Sequence, residues 1–84
     1  MIKILYFAWL RERLGRDEDQ VEPPETVATV ADLIDWMAAR DEGFELATQN
    51  RKIIRAAVND KLVEHTTPIA GALTIALFPP MTGG

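Results

Sequence analysis

Cysteine is absent from this 84-residue chain. Its absence excludes disulfides, thiolate zinc sites, iron–sulfur clusters and a cysteine nucleophile. Histidine occurs once, at His65, too little for a histidine-centred metal site or catalytic pair. No metal site is expected. Long apolar runs are also missing: none approaches the ~20 residues that cross a bilayer, so no membrane span is expected. The first residues, Met1-Ile2-Lys3-Ile4, lack the charged segment, apolar core and cleavage site of a secretory signal. A cytoplasmic location is the expectation. Basic residues number 9 against 13 acidic ones, for a net charge of -4, which disfavours a nucleic-acid partner.

What is present is ordinary small-domain composition, 48% apolar and 26% charged. That argues against a disordered tail or a fibre. At this length folding buries roughly 60–65% of the unfolded surface, so the core is thin. The usual stock of catalytic side chains is largely missing. Any chemistry must be unusual or shared with a partner.

Met1–Trp9 is a dense apolar run whose only charge is Lys3, and it predicts a central strand buried on both faces. Leu10–Leu14 predicts one helical turn stopped by Gly15. Arg16–Glu22 is polar and acidic, a loop leading into a weak edge strand that Pro23-Pro24 ends. Thr29 is a good N-cap and Asp32, three residues on, completes a capping box with a short acid. Val30, Leu33, Ile34 and Met37 then form one apolar helical stripe, with Asp32 and Asp35 opposite and Trp36 on a flank. Gly43 is the expected C-cap.

Phe44–Asn50 predicts a short helical turn and Lys52–Val58 a strand. Asn59-Asp60-Lys61 predicts a hairpin turn leading to Leu62-Val63. Thr66–Gly71 reads as a loop, with His65 at the surface and no partner for it in sight. Ala72–Phe78 is a second continuous apolar strand, ended by Pro79-Pro80. The first and last strands are the most apolar, so they are expected side by side and parallel at the centre of a mixed sheet. With one main helix packed across a face, this is an α+β, ubiquitin-like β-grasp arrangement. Residues 1–78 are the expected domain and 79–84 a flexible tail.

The last seven residues, Phe78-Pro79-Pro80-Met81-Thr82-Gly83-Gly84, carry the chemical signal. The prolines stiffen the exit. The glycines lack Cβ, so terminal backbone can enter a narrow channel. From Pro79 to Gly84 the chain reaches at most ~20 Å. An unhindered Gly-Gly carboxylate suits activation by ATP to an acyl-adenylate, which a sulfur donor or an amine then attacks. A frayed end is the competing reading of Gly-Gly alone.

The chain resembles the small, sulfur-carrying subunits of molybdopterin synthase (the MoaD type) along nearly its whole length. The matching residues are Ile4-Leu5-Tyr6-Phe7-Ala8 with Arg11-Glu12 and Gly15, then Ala57-Val58-Asn59 with Leu62-Val63, then Phe78-Pro79-Pro80 with Gly83-Gly84. The resemblance implies that an E1-like enzyme adenylates the Gly84 carboxylate using ATP. A persulfide donor then converts it to a thiocarboxylate, with Gly83 keeping the tail unhindered. The loaded tail enters the large subunit and gives sulfur to cyclic pyranopterin monophosphate (precursor Z), forming molybdopterin for the molybdenum cofactor. The chain is then the sulfur-donating subunit of a sulfurtransferase, without catalytic side chains or bound cofactor of its own, and the assembly a heterotetramer.

The same resemblance implies a large-subunit interface at Phe7, Arg11, Leu62, Phe78, Pro79, Pro80, Met81 and Thr82. For Phe7, Leu62 and Phe78, expected on three neighbouring strands, core packing is the competing reading. Phe7 is expected to share a face with Leu5 and Trp9. For Arg11 the competing reading is plain solvation. The chain departs from the family where a Gly-Asp-Glu stretch commonly precedes the last strand; here that region reads Ala70-Gly71-Ala72-Leu73-Thr74, which bears on docking to the activating enzyme. Three other readings stand beside the carrier: a carrier for another pathway such as thiamine thiazole, a ubiquitin-like modifier of lysines, and a docking module whose terminus has no chemistry.

Overall fold

A computed structural model describes residues 1–80. Met81, Thr82, Gly83 and Gly84, on which the tail chemistry was placed, lie outside the described residues. The elements are β1 (Ile2–Tyr6), α1 (Ala8–Leu14), β2 (Glu18–Val21), α2 (Val30–Arg40), α3 (Glu42–Ala47), a 3-10 turn (Arg51–Ile53), β3 (Arg55–Val58), β4 (Lys61–Val63) and β5 (Thr74–Phe78).

One five-stranded sheet runs in the order β2-β1-β5-β3-β4. β1 and β5 pair in parallel at its centre, with Ile4 opposite Ile75 and Tyr6 opposite Leu77. The other pairs are antiparallel. This is the α+β, ubiquitin-like β-grasp arrangement expected from the two apolar strands.

α2 forms where the sequence places it. Thr29 Oγ1 accepts from the Asp32 amide and Asp32 Oδ2 accepts from the Thr29 amide, both at 3.2 Å, closing the capping box. The next two helix amides, of Val30 and Ala31, donate to the carbonyls of Thr67 and His65. A loop from the far end of the chain thus completes the helix start, satisfying groups that a helix leaves open. Val30, Leu33, Ile34, Met37 and Ala38 are buried against Ile2, Ile4, Tyr6, Ala56, Ile75 and Leu77 of the sheet.

Several boundaries differ from the sequence expectation. β1 ends at Tyr6, and Trp9 belongs to α1, half-buried against the core with the Arg13 guanidinium 4.7 Å over its ring. The backbone turns at Ala8, whose φ is +55°, a region that costs a residue with Cβ roughly 1–2 kcal/mol. Ala8→Gly is therefore expected to raise stability by up to ~1 kcal/mol, the strain relieved exceeding the added unfolded-state entropy. Chemical denaturation measures it, and any loss of stability contradicts the strain reading.

Gly43 does not cap α2. It lies inside α3, and Asp41 takes both roles, ending α2 and accepting from the Phe44 amide at 3.2 Å to start α3. A carboxylate there satisfies a helix amide that glycine could not. The Asn-Asp-Lys turn is a two-residue one: Asn59 (φ +49°) and Asp60 (φ +70°) sit between paired Val58 and Lys61. Both angles are positive, as such tight hairpins require. Asn59 Oδ1 also accepts from the amides of Leu73 (2.8 Å) and Thr74 (3.1 Å), pinning the start of β5. His65 has a partner after all: its Nε2 lies 2.7 Å from the Ile54 carbonyl, and the ring is half-buried.

Candidate functional site

Among the described residues β1 and β5 are covered on one face only, contrary to the expectation of burial on both. All helical packing falls on the face of Ile4, Tyr6, Ile75 and Leu77. Strand alternation sends Leu5, Ala76, Ala57 and Leu62 to the other face. The registers Leu5↔Ala76, Ala76↔Ala57 and Ala57↔Leu62 set these four in one row across four strands. At ~4.8 Å per strand the row is about 14 Å long. Leu5, Ala57 and Ala76 are half-buried, and Leu62 is 68% exposed. An uncovered apolar row of this kind is a feature that marks interaction surfaces.

Phe7 and Phe78 stand at the end of that face from which the C-terminal residues leave. Phe7 is one step past the Tyr6↔Leu77 pair, its amide donating to the Leu77 carbonyl at 3.3 Å. Its backbone is extended, so it keeps the facing of Leu5. It is 45% exposed. Phe78 is half-buried and opposite Arg55 of β3. Pro79 is buried and Pro80 half-buried, so packing continues one residue past β5.

The expected interface residues are thus only partly together. Phe7 and Phe78 flank the exit and Leu62 shares their sheet face, but β3 separates β4 from β5, so the three strands are not all neighbours. Trp9 is not on that face. Arg11 is exposed on α1 and makes no hydrogen bond or salt bridge through its side chain among the described residues. For Phe7 and Leu62 exposure decides against core packing. The row completed by Leu5, Ala57 and Ala76 was missed, because it appears only once strands are paired in register.

The strongest side-chain network lies on the opposite, helix-bearing side. The Tyr6 hydroxyl donates to Asp19 Oδ2 at 2.7 Å, Arg16 Nε donates to the same oxygen at 2.7 Å, and Arg16 Nη2 donates to Asp41 Oδ2 at 2.9 Å. Burial, then the bond to Asp19, pushes the Tyr6 phenol well above its ordinary value. Burial opposes the Arg16 charge, but Asp19 and Asp41 outweigh it and hold the guanidinium more firmly protonated. The Phe44 amide, then Arg16, pulls the Asp41 carboxyl below its ordinary 3.8. These side chains lie on the face opposite Phe7 and Phe78 and satisfy one another, so the network ties β1 and β2 to the start of α3.

Its titration sets a pH dependence. Asp41 binds its proton less readily folded than unfolded, so its contribution is complete above the ordinary carboxylate range and is lost as pH falls through 3.8 and below. Its side chain is 42% exposed, so solvent screening keeps the Arg16 contribution under about 1 kcal/mol. Asp41→Asn is expected to lower stability at neutral pH and to flatten the acid limb. Urea midpoints measured from pH 7 to pH 3 check this; parallel curves for both proteins would refute it.

Among the described residues no group of three histidine, cysteine, aspartate or glutamate side chains is placed to hold a metal, and no helix is long and apolar enough to cross a membrane.

Comparison with known proteins adds the family. A ThiS family profile matches residues 4–84. The chain is 40% identical to the molybdopterin synthase sulfur carrier subunit of Escherichia coli and 32% identical to that of Haemophilus influenzae, over the full length of each. In fold it is similar to SAMP1 from Haloferax volcanii (TM-score 0.73, 26% identity, 99% of this chain and 98% of that one). A putative molybdopterin converting factor subunit 1 from Pyrococcus furiosus is comparable (TM-score 0.71, 27% identity, 95% and 97%). With a β-grasp sheet, an uncovered apolar row and a Phe-Pro-Pro exit, the chain belongs to the ThiS family and is similar throughout to molybdopterin synthase sulfur carrier subunits.

Proposed function

We propose that this chain is the sulfur carrier subunit of molybdopterin synthase and that its reactive group is the carboxylate of Gly84. The observation that carries the reading is the 40% identity over the whole of both chains with the Escherichia coli subunit. The lack of any cysteine supports it, since the transferred sulfur must then sit on the backbone terminus.

The steps follow from acyl chemistry. A carboxylate oxygen of Gly84 attacks the α-phosphorus of ATP on an E1-like enzyme, and pyrophosphate leaves. The terminal sulfur of a persulfide donor displaces AMP to form an acyl disulfide. A second thiol then cleaves its S–S bond, ending as a disulfide with the donor and leaving a thiocarboxylate on Gly84. The uncovered face then docks on the large subunit through Leu62, Phe7 and Phe78, with Arg11 at the margin. Pro79, Pro80, Met81 and Thr82 lead the terminus into the large subunit's site. There sulfur passes to cyclic pyranopterin monophosphate, and acid–base work belongs to the large subunit.

The test is the intact mass of the protein after incubation with ATP, an activating enzyme and a sulfur source. The expected result is replacement of one oxygen by sulfur, confined to the C-terminal peptide, followed by loss of that sulfur to the pterin precursor when the large subunit is added. No exchange, with every partner active on a control carrier, rejects the reading. Covalent attachment to lysines of other proteins instead of sulfur loading would identify a modifier.

A further inference from the structure

Among the described residues β2 is an edge strand whose outer side has no partner strand. The amide of Tyr6 donates to the carbonyl of Asp17, directly opposite it. In an antiparallel ladder such pairs alternate, so Asp19 and Val21 also turn their backbone groups toward β1. Glu18 and Gln20 therefore point their N–H and C=O groups away from the sheet.

A groove of about 460 Å³ runs beside that edge. Residues 19–22 line it together with Trp36, Met37 and Arg40 of α2 and the buried Phe44 of α3. Side chains of a strand alternate between faces. A cavity bordered by four consecutive residues must follow the strand's backbone edge, not one face. Contacts brace its lining: Asp19 accepts from Tyr6 and Arg16, and the Arg40 guanidinium stacks 4.4 Å over the Trp36 ring.

The charge of the edge selects the occupant. Residues 16–25 carry five acids against one arginine. Neither Glu18 nor Glu22 has a salt-bridge partner among the described residues. Glu18 and Gln20 project to the uncovered face, while Val21 faces the helix side. A strand added at this edge alternates in the same way. Its residues beside Glu18 and Glu22 must be cationic, and those above the groove small and apolar. A second copy of β2 would set glutamates against glutamates, which is destabilising.

We propose that the groove between β2 and α2 docks an extended peptide segment of a partner, alternating cationic and small apolar residues, by strand addition to β2. The groove lies on the helix-bearing side, away from Leu62, Phe7 and Phe78, while Glu18 borders Leu5 at the end of their row; the proposal does not depend on the sulfur-carrier reading.

The probe is an end-blocked hexapeptide of alternating valine and lysine, titrated into the isotope-labelled full chain and followed by amide and indole NMR signals. Saturable shifts concentrated at residues 18–22 and at the Trp36 indole are expected. The double reversal Glu18→Lys with Glu22→Lys should weaken binding about tenfold or more and transfer preference to the valine–glutamate peptide. Gln20→Pro removes an outward N–H that β1 does not use, so it should weaken binding while the rest of the spectrum stays native. If that variant unfolds, the charge reversal decides. Absence of saturable binding, shifts centred on the Leu5–Leu62 row, or affinity indifferent to the reversal overturns the proposal.

Discussion

Deleting Gly84, or adding one residue after it, is expected to abolish sulfur loading and delivery while leaving the fold intact. The core runs from Ile2 to Leu77, so a change at residue 84 should move stability by no more than about 0.5 kcal/mol. The chemical effect is of another size. Each residue advances an extended chain by ~3.4 Å, and misplacing a reacting atom by ~1 Å can cost on the order of 100-fold. The shortened chain still ends in a glycine carboxylate, so it tests reach rather than reactivity. The chain extended by alanine tests reach together with the bulk of an added Cβ. Both variants should melt like the parent yet show no oxygen-for-sulfur exchange by intact mass. Normal molybdopterin formation by either would sink the carrier reading.

Placing a carboxylate on the uncovered sheet face should break the large-subunit complex without unfolding the chain. Leu62 is 68% exposed and Phe7 45% exposed, so Leu62→Asp gives up little folded-state burial and Phe7→Asp about half of that side chain's. At a well-packed interface the same residues would be anchors, each worth about 2 kcal/mol or more, or roughly 30-fold in affinity. Phe78 is half-buried, and Phe78→Ala should cost both affinity and stability, the affinity loss being larger. Leu46, 59% exposed on α3, supplies the control. Leu46→Asp lies on the helix-bearing side and should leave the affinity unchanged. Isothermal titration with the large subunit, beside urea denaturation, reads both quantities. Equal losses for Leu46→Asp and Leu62→Asp would mean that the sheet face is not the docking surface.

Much of the molecule was legible along the chain because the deciding interactions are local. The Thr29–Asp32 capping box spans three residues, and the Val30–Met37 stripe spans two helical turns. The positive φ values at Asn59 and Asp60 suit residues that tolerate them. The central pairing of β1 with β5 was legible because both strands are unusually apolar. Local pattern failed where one residue serves two elements. Asp41 ends α2 and starts α3, which displaced the expected cap at Gly43. Ala8 takes a strained turn that separates Trp9 from β1, and nothing in its composition signals it.

By itself the sequence determined the fold class, the main helix, the two central strands and the Phe-Pro-Pro-x-x-Gly-Gly ending, since each depends on neighbours in the chain or on gross hydrophobicity. Only the tertiary structure decided which face of the sheet stays uncovered, that Leu5, Ala76, Ala57 and Leu62 form one row, and that β3 lies between Leu62 and the exit. It also decided that Arg16 joins residues as distant as Asp19 and Asp41. These are matters of strand order and register. A one-residue slip in register reverses the facing of every side chain, and the residues that fix it lie tens of positions apart.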